Sequence, residues 1–123
     1  MDFNFDHERP AWRFQSIDND GAYGWANAGH DLIANEIFPK LKDFESMTWQ
    51  AIERAGSHFI NISDITRNAQ KRLEEIKQDD IDQVFSLRLN GTNRIIGIRE
   101  AHILKILWWD PNHDVCPSHL RNT

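Results

Sequence analysis

Hydrophobic residues alternate with polar ones near both ends of the chain, and between these regions they recur every three or four positions. The Trp-Arg-Phe-Gln run at residues 12–15 alternates, which predicts a first strand over residues 11–18. The preceding residues 1–10 show no period and are interpreted as a loose arm, whereas the glycine- and alanine-rich residues 22–29 are interpreted as a loop. One α+β domain over residues 11–123 is predicted.

Three stretches in the middle of the chain place apolar positions on one helical face. The first covers residues 31–42 and is capped by its own first residue, and Pro39 should kink it or end its regular part. The second follows Asp43 as N-cap and ends at Gly56, a residue suited to a left-handed conformation. The third is predicted to begin at Ser63. The three faces are Leu32, Ile33, Ile37 and Leu41; Phe44, Met47, Thr48, Ala51, Ile52 and Ala55; and Ile65, Ala69, Leu73 and Ile76.

The alternation of period two returns at residue 84 and predicts a β-hairpin. Apolar residues alternate with polar ones up to Asn90 and Gly91, a pair typical of a two-residue hairpin loop, and an apolar run follows. Whether the two-residue loop is Asn90-Gly91 or Gly91-Thr92, the predicted register places Arg88 and Arg99 on the same face. Arg94 is then expected on the other face, next to the loop.

A third strand over residues 103–109 is apolar at nearly every position, so it should lie inside the sheet with both faces covered. A turn at residues 110–113 and a short last strand over residues 114–116 are predicted to follow. The acidic run at residues 78–82 is interpreted as a solvated connector. The predicted fold is therefore one amino-terminal strand, two or three helices, and an antiparallel meander of three or four strands packed on the helices.

The composition restricts the class of partner. The 123 residues are 40% hydrophobic with five Trp, enough for one core without metals or disulfides. Cys116 is the only cysteine, and neither a signal peptide nor an apolar stretch of membrane-spanning length is recognised, so a cytoplasmic protein is expected. The net charge is −5. Nucleic-acid binding would therefore depend on a local cluster of basic residues.

The histidines near the carboxy terminus raise the question of a metal site. His102, His113 and His119, with Asp110 and Asp114, lack the spacing of a structural zinc site, and no nucleotide-binding or metalloprotease motif is present. No metal and no cofactor is predicted. His113 is kept as a candidate general acid or base because imidazole titrates near neutral pH.

The arginines of the predicted hairpin are the more informative candidates. Guanidinium groups held on a rigid sheet are suited to bind phosphate and to stabilise developing phosphoryl charge. Arg88, Arg94 and Arg99 form this set, and Lys105 joins one face or the other depending on the loop between the second and third strands. Taken singly, each is more often a solvated strand residue paired with a carboxylate. The functional interpretation rests on their clustering.

The carboxy-terminal third resembles the sheet of the RelE/ParE toxin superfamily. Members often show leucine, a basic residue, an apolar residue, any residue and Gly, followed by Arg and apolar residues. Here the segments are Leu87-Arg88-Leu89-Asn90-Gly91 and Arg94-Ile95. Residues 12–117 also look like small bacterial toxin-like proteins with an LWWDPxH ending, which residues 107–113 match.

The resemblance implies the toxin of a bacterial type II toxin–antitoxin system, neutralised by an antitoxin protein. The expected activity is RelE-like: the chain would be a metal-independent endoribonuclease that cleaves mRNA on the ribosome. Arg88, Arg94 and Arg99 would then bind phosphate, and Lys105 or His113 would assist proton transfer. A ParE-like toxin would instead inhibit DNA gyrase without catalysis, and a non-toxic interaction domain of the same fold is the third alternative. Tyr23, the only tyrosine, lies far from this segment in the sequence.

Overall fold

A five-stranded mixed sheet forms the centre of the computed structural model, which describes residues 5–117. Its order is β1-β5-β4-β3-β2. β1 pairs parallel to β5, and the other neighbours are antiparallel. The strands are β1 (Ala11–Arg13), β2 (His58–Asn61), β3 (Gln83–Asn90), β4 (Asn93–Glu100) and β5 (Ile103–Asp110). The predicted α+β class is confirmed, and β5 lies inside the sheet with side chains buried on both faces, as predicted.

The first helical segment is interrupted by a π-helical turn. α1 (His30–Leu32), the π turn (Ile33–Ile37) and α2 (Phe38–Phe44) follow one another without a break. Phe38 donates its N–H to the carbonyl of Ile33, five residues earlier. Because Pro39 has no N–H, the chain changes its hydrogen-bond spacing just before the proline, and α2 then continues beyond it. The predicted N-cap is wrong, since Gly29 occupies that position.

α3 (Trp49–Arg54) begins later than predicted because a threonine caps it. The hydroxyl oxygen of Thr48 accepts the N–H of Ala51 at 3.2 Å. Asp43 is therefore not the N-cap, and it lies inside α2 instead. The predicted end is confirmed: Gly56 has a φ of 117°, a backbone conformation that favours glycine.

A threonine N-cap also fixes the start of α4 (Arg67–Glu75). The hydroxyl oxygen of Thr66 accepts the N–H of Ala69 at 3.2 Å, so the prediction that Ser63 opens this helix is wrong. Ser63 lies in a short 3-10 turn (Ile62–Asp64) that precedes the cap.

A β-bulge in β3 changes the predicted faces of the hairpin. The loop consists of Gly91 and Thr92, but the register shifts by one residue between Arg88 and Asn90. Because a shift of one residue exchanges the two faces of a strand, Arg88 lies opposite Arg94. The prediction that Arg88 and Arg99 share a face is therefore wrong. The prediction that Arg88 and Arg94 lie on opposite faces is wrong as well.

Two further strand predictions are corrected. β2 was not predicted, because its His-Phe-Ile-Asn sequence has one buried residue and no clear alternation. The expected strand over residues 114–116 does not form. The carboxylate of Asp110 accepts the N–H of Asp114 at 2.9 Å and that of Val115 at 3.0 Å. These amides therefore bond to a side chain instead of a neighbouring strand.

The amino-terminal segment is in contact with α3. The carbonyls of Asp6 and Glu8 accept N–H groups from the first two residues of α3, at 2.9 and 3.0 Å. The first four residues of the predicted arm lie outside the described part of the chain. β1 is shorter than predicted, because a turn closed by a hydrogen bond from Ile17 to Phe14 follows it.

Helices cover both faces of the sheet, so two buried clusters form. The cluster on the side of α2 and α3 contains Ile37, Leu41, Phe44, Trp49, Ile52, Phe85, Leu87, Leu89, Ile95, Leu104, Ile106 and Trp109. The cluster on the side of α4 contains Ile60, Ile65, Ala69, Leu73, Val84, Ile96, Leu107, Trp108, Val115 and Cys116. Adjacent Trp108 and Trp109 thus point to opposite faces, as alternation predicts. Among residues 5–117, no helix has the length and apolarity needed to cross a membrane.

Candidate functional site

Arg88 and Arg94 face each other across β3 and β4, next to the hairpin loop. Arg94 is 9% exposed, and its Nη1 atom donates to the carbonyls of Gly91 at 2.7 Å and Asn93 at 3.1 Å. Burial and, to a smaller extent, the charge of Arg88 lower the pKa of Arg94, while Asp110 on β5 acts in the opposite direction. Arg94 therefore holds the loop closed, and Arg88 is the exposed member of the pair.

Arg99 fills an aromatic cage on the other face of the sheet. Its guanidinium carbon lies 3.9 Å from the ring centre of Trp49, 5.2 Å from that of Phe59 and 5.1 Å from that of Phe85. Its Nε and Nη2 atoms donate to the carbonyl of Ala101 at 3.3 and 3.0 Å. Burial lowers the pKa of Arg99. The guanidinium is thus engaged in packing and in closing the turn between β4 and β5.

Lys105 and His113 lie at opposite ends of the sheet, with His113 at the end that carries the hairpin loop. The Nζ atom of Lys105 is 3.6 Å from the carboxylate of Glu100, at the end of β4 that is distant from the hairpin loop. His113 lies in the turn after β5 with a φ of 58°. The five predicted site residues therefore do not surround one cavity. No group of three or more His, Cys, Asp or Glu that could hold a metal occurs within residues 5–117, and His119 lies outside that range.

An apolar cavity lies between the sheet and the segment that contains α1, the π turn and α2. We call it the apolar groove, and its volume is about 550 Å³. It is lined by Phe14, Ile17, Asn19, Trp25, Ala26, Ala28, His30, Ile33, Ile37, Phe38, Leu41, Ile95 and Ile106. Two of these side chains, Phe14 and Phe38, are 50% and 56% exposed. The groove therefore combines a buried aliphatic floor with aromatic rings in solvent, a combination typical of a binding surface.

A second cavity, of about 630 Å³, has a predominantly polar lining, and we call it the polar cleft. It is lined by Ala22, Tyr23, Asn27, Thr66, Asn68, Trp109, Asp110, Pro111, Asn112 and Asp114. Asp110 is 1% exposed, and burial raises the pKa of its carboxyl, although the two backbone N–H groups it accepts act in the opposite direction. Most of the LWWDPxH ending that the sequence singled out thus surrounds this cleft.

Residues 19–28, most of which are predicted to form a loop, form a wall shared by the two cavities. A 3-10 turn (Trp25–Asn27) lies within them. The ring of Tyr23 packs on Trp108 at 5.2 Å, and its hydroxyl lies 3.4 Å from that of Thr66. A Cβ atom at Gly24 would lie 2.3 Å from a backbone carbonyl oxygen, so the tight fold of this segment requires glycine there.

Tyr23 and Thr66 are thus cleft residues that the sequence pattern does not indicate. The one available signal was the presence of Tyr23 and Trp25 in a glycine-rich stretch, since aromatic residues in a loop need a packing partner. Comparison of the chain with protein-family models, with curated proteins and with solved structures finds no match.

Proposed function

We propose that this chain is a toxin of the RelE/ParE kind that acts by binding a target protein, without cleaving RNA. The apolar groove carries the proposal. Half-exposed Phe14 and Phe38 beside a buried aliphatic floor suit the apolar face of a partner segment. DNA gyrase is the target expected of a ParE-like toxin, and an antitoxin would act by covering the same groove.

The positions of the basic residues support binding over catalysis. Arg94 bonds to loop carbonyls, and Arg99 is enclosed by aromatic rings. Each guanidinium group is thus at least partly engaged within the fold. Both faces of the sheet are covered by helices and the chain carries a net charge of −5, so an RNA backbone would find little basic surface.

RelE-like cleavage of ribosome-bound mRNA is the second candidate. It is favoured by the juxtaposition of Arg88 and Arg94, neither of which makes a salt bridge with a residue of the described chain. Two cations without a carboxylate partner can hold one phosphate. In this form of the function, Arg88 would contact the RNA and Arg94 would fix the position of Arg88.

Induced expression in a bacterial host separates the two candidates. We expect growth arrest in which DNA synthesis stops before protein synthesis, with no new mRNA ends at ribosomal positions. The double variant Phe14→Ser/Phe38→Ser should abolish the arrest, whereas Arg88→Ala should leave it intact. Phe59→Ser is the matched control, because Phe59 is 40% exposed and lies outside the groove. Since Phe59 also packs on Arg99, circular dichroism is used to verify that this variant is folded.

The opposite pattern would support the nuclease. If protein synthesis stops first, mRNA ends appear on the ribosome and Arg88→Ala abolishes them, the protein-binding proposal is wrong. Normal growth under full induction would contradict both toxin candidates and leave the non-toxic interaction domain.

A further inference from the structure

The polar cleft adjoins the apolar groove, so one partner can reach both. The 3-10 turn (Trp25–Asn27) separates them: Ala26 lines the groove, and Asn27, the next residue, lines the cleft. The ring of Trp25 packs on Trp109 at 5.8 Å, which links the wall of the groove to the lining of the cleft. A chain that crosses this turn would leave the apolar surface and meet the polar one.

Two carboxyl groups line the cleft, and Arg94, which lies opposite Asp110 on β4, offsets part of the charge of Asp110. The two groups belong to Asp110 and Asp114, and none of the described lining residues is Lys or Arg. The carboxylate of Asp110 is buried and accepts two backbone N–H groups. Asp114 is exposed and is therefore the carboxylate that a ligand contacts directly, while Asp110 contributes its charge from below.

The other groups in the cleft are suited to a planar cation. The amide nitrogen of Asn27 donates to the carbonyl of Gly21 at 3.2 Å, which leaves the amide oxygen as an acceptor. Tyr23 and Trp109 are the aromatic residues among those that line the cleft, and the hydroxyl of Tyr23 lies 3.4 Å from that of Thr66, which also lines it. A guanidinium carries five N–H donors in one plane and also stacks on aromatic rings, whereas an ammonium is a compact and strongly hydrated charge.

We propose that the polar cleft binds an arginine side chain of the same protein whose apolar segment occupies the apolar groove. The inference rests on the proposed function for the identity of the partner. Binding of the guanidinium itself depends only on the cleft.

Titration of the full chain with N-acetyl-arginine amide, followed by NMR, tests the cleft directly. We expect the signals of Tyr23, Asn27 and Asn68 to shift, with a Kd on the order of 1 mM for so small a probe. N-acetyl-citrulline amide has the same shape without the charge and should bind at least about tenfold more weakly, a difference of about 1.4 kcal/mol. Equal shifts with both probes, or none with arginine, would overturn the inference.

Variants then separate this inference from the proposed function. Asp114→Asn should weaken arginine binding about tenfold, a change of about 1.4 kcal/mol. Asp79→Asn removes the same charge from the distant exposed connector and should change nothing. Phe14→Ser/Phe38→Ser should retain arginine binding even though it abolishes growth arrest. Asp114→Asn should also reduce the arrest, and arrest unaffected by this variant would contradict the assignment of the arginine to the partner.

Discussion

Asp18 joins three parts of the molecule, and its replacement by Asn provides a direct test of what holds them together. The carboxylate of Asp18 accepts from Nε and Nη2 of Arg72 on α4, at 2.9 and 2.8 Å. It also accepts from the indole nitrogen of Trp108 on β5 at 2.9 Å and from the N–H of Asp20 at 3.2 Å. Asp18 itself follows β1 and is 7% exposed. We expect Asp18→Asn to destabilise the fold strongly.

The expected loss follows from the geometry. Asn keeps the size of the side chain, but it removes the negative charge and one of the two oxygens that bind Arg72. Removing one partner of a fully buried ion pair costs about 3–5 kcal/mol. The Arg72 side chain is 24% exposed, so water solvates part of its charge, and we expect a loss of about 2–3 kcal/mol. For a domain of this size the melting temperature would fall by roughly 10 °C.

The pKa of Asp18 determines how its contribution to stability changes with pH. Burial is the largest single effect on Asp18 and raises the pKa of its carboxyl, but the hydrogen bonds from Arg72 and Trp108 and the charge of Arg72 together outweigh it, so the pKa is lowered. A carboxyl with a lowered pKa in the folded state stabilises the protein above its unfolded pKa of about 3.9. That contribution is lost as the pH falls through the folded pKa.

Urea unfolding followed by tryptophan fluorescence between pH 7 and pH 3 measures both effects. The difference between the wild type and Asp18→Asn should be full at pH 7 and should shrink below about pH 4. Asp20→Asn is the control, because this neighbouring side chain is exposed, and its effect should stay within about 0.5 kcal/mol. A loss below about 0.5 kcal/mol for Asp18→Asn at pH 7, or a difference independent of pH, would refute the reasoning.

Three further predictions use the same unfolding assay. Arg99→Ala should lower the free energy of unfolding by about 1–2 kcal/mol, because the aromatic cage loses its cation. Arg99→Lys should restore only part of the lost stability. An unchanged stability of Arg99→Ala would contradict the packing role of Arg99. Gly97→Ala should cost more than about 3 kcal/mol, since its Cβ would lie 2.5 Å from the carbonyl oxygen of Lys105, and a mild effect would mean that β5 moves easily. Thr66→Ala should cost about 1 kcal/mol through the lost cap, whereas Thr66→Ser should be nearly neutral.

The parts of the fold that the sequence predicted correctly are those encoded by local patterns. The alternation in β3 and β4, the continuous apolar run of β5 and the glycine after α3 each have a cause within a few residues. The starts of the helices were less predictable, because several residues able to cap a helix occur near each of them. Thr48 and Thr66 were selected over Asp43 and Ser63 by the position of the helix on the sheet.

The arrangement of the candidate arginines was harder to predict, because it depends on one inserted residue in β3. The bulge between Arg88 and Asn90 has no distinct sequence signal, yet it decides which arginines are neighbours. The polar cleft is formed by segments far apart in sequence, so the proximity of Tyr23 to Thr66 and Asp110 follows from packing alone. Both cases show residues whose roles depend on tertiary contacts that a single sequence does not display.

Three arginines of this chain contribute to the fold through contacts within the protein. Arg72 bonds to Asp18, Arg94 to carbonyls of the hairpin loop, and Arg99 packs in the aromatic cage. Each of these cations stabilises a junction between elements, so its charge serves the fold and is less accessible to a phosphate backbone. Within residues 5–117, an apolar groove and a cleft lined by two carboxyl groups are accessible. A partner that matches both is a protein segment with an apolar face and an arginine, and the toxin hypothesis is therefore best pursued with protein targets.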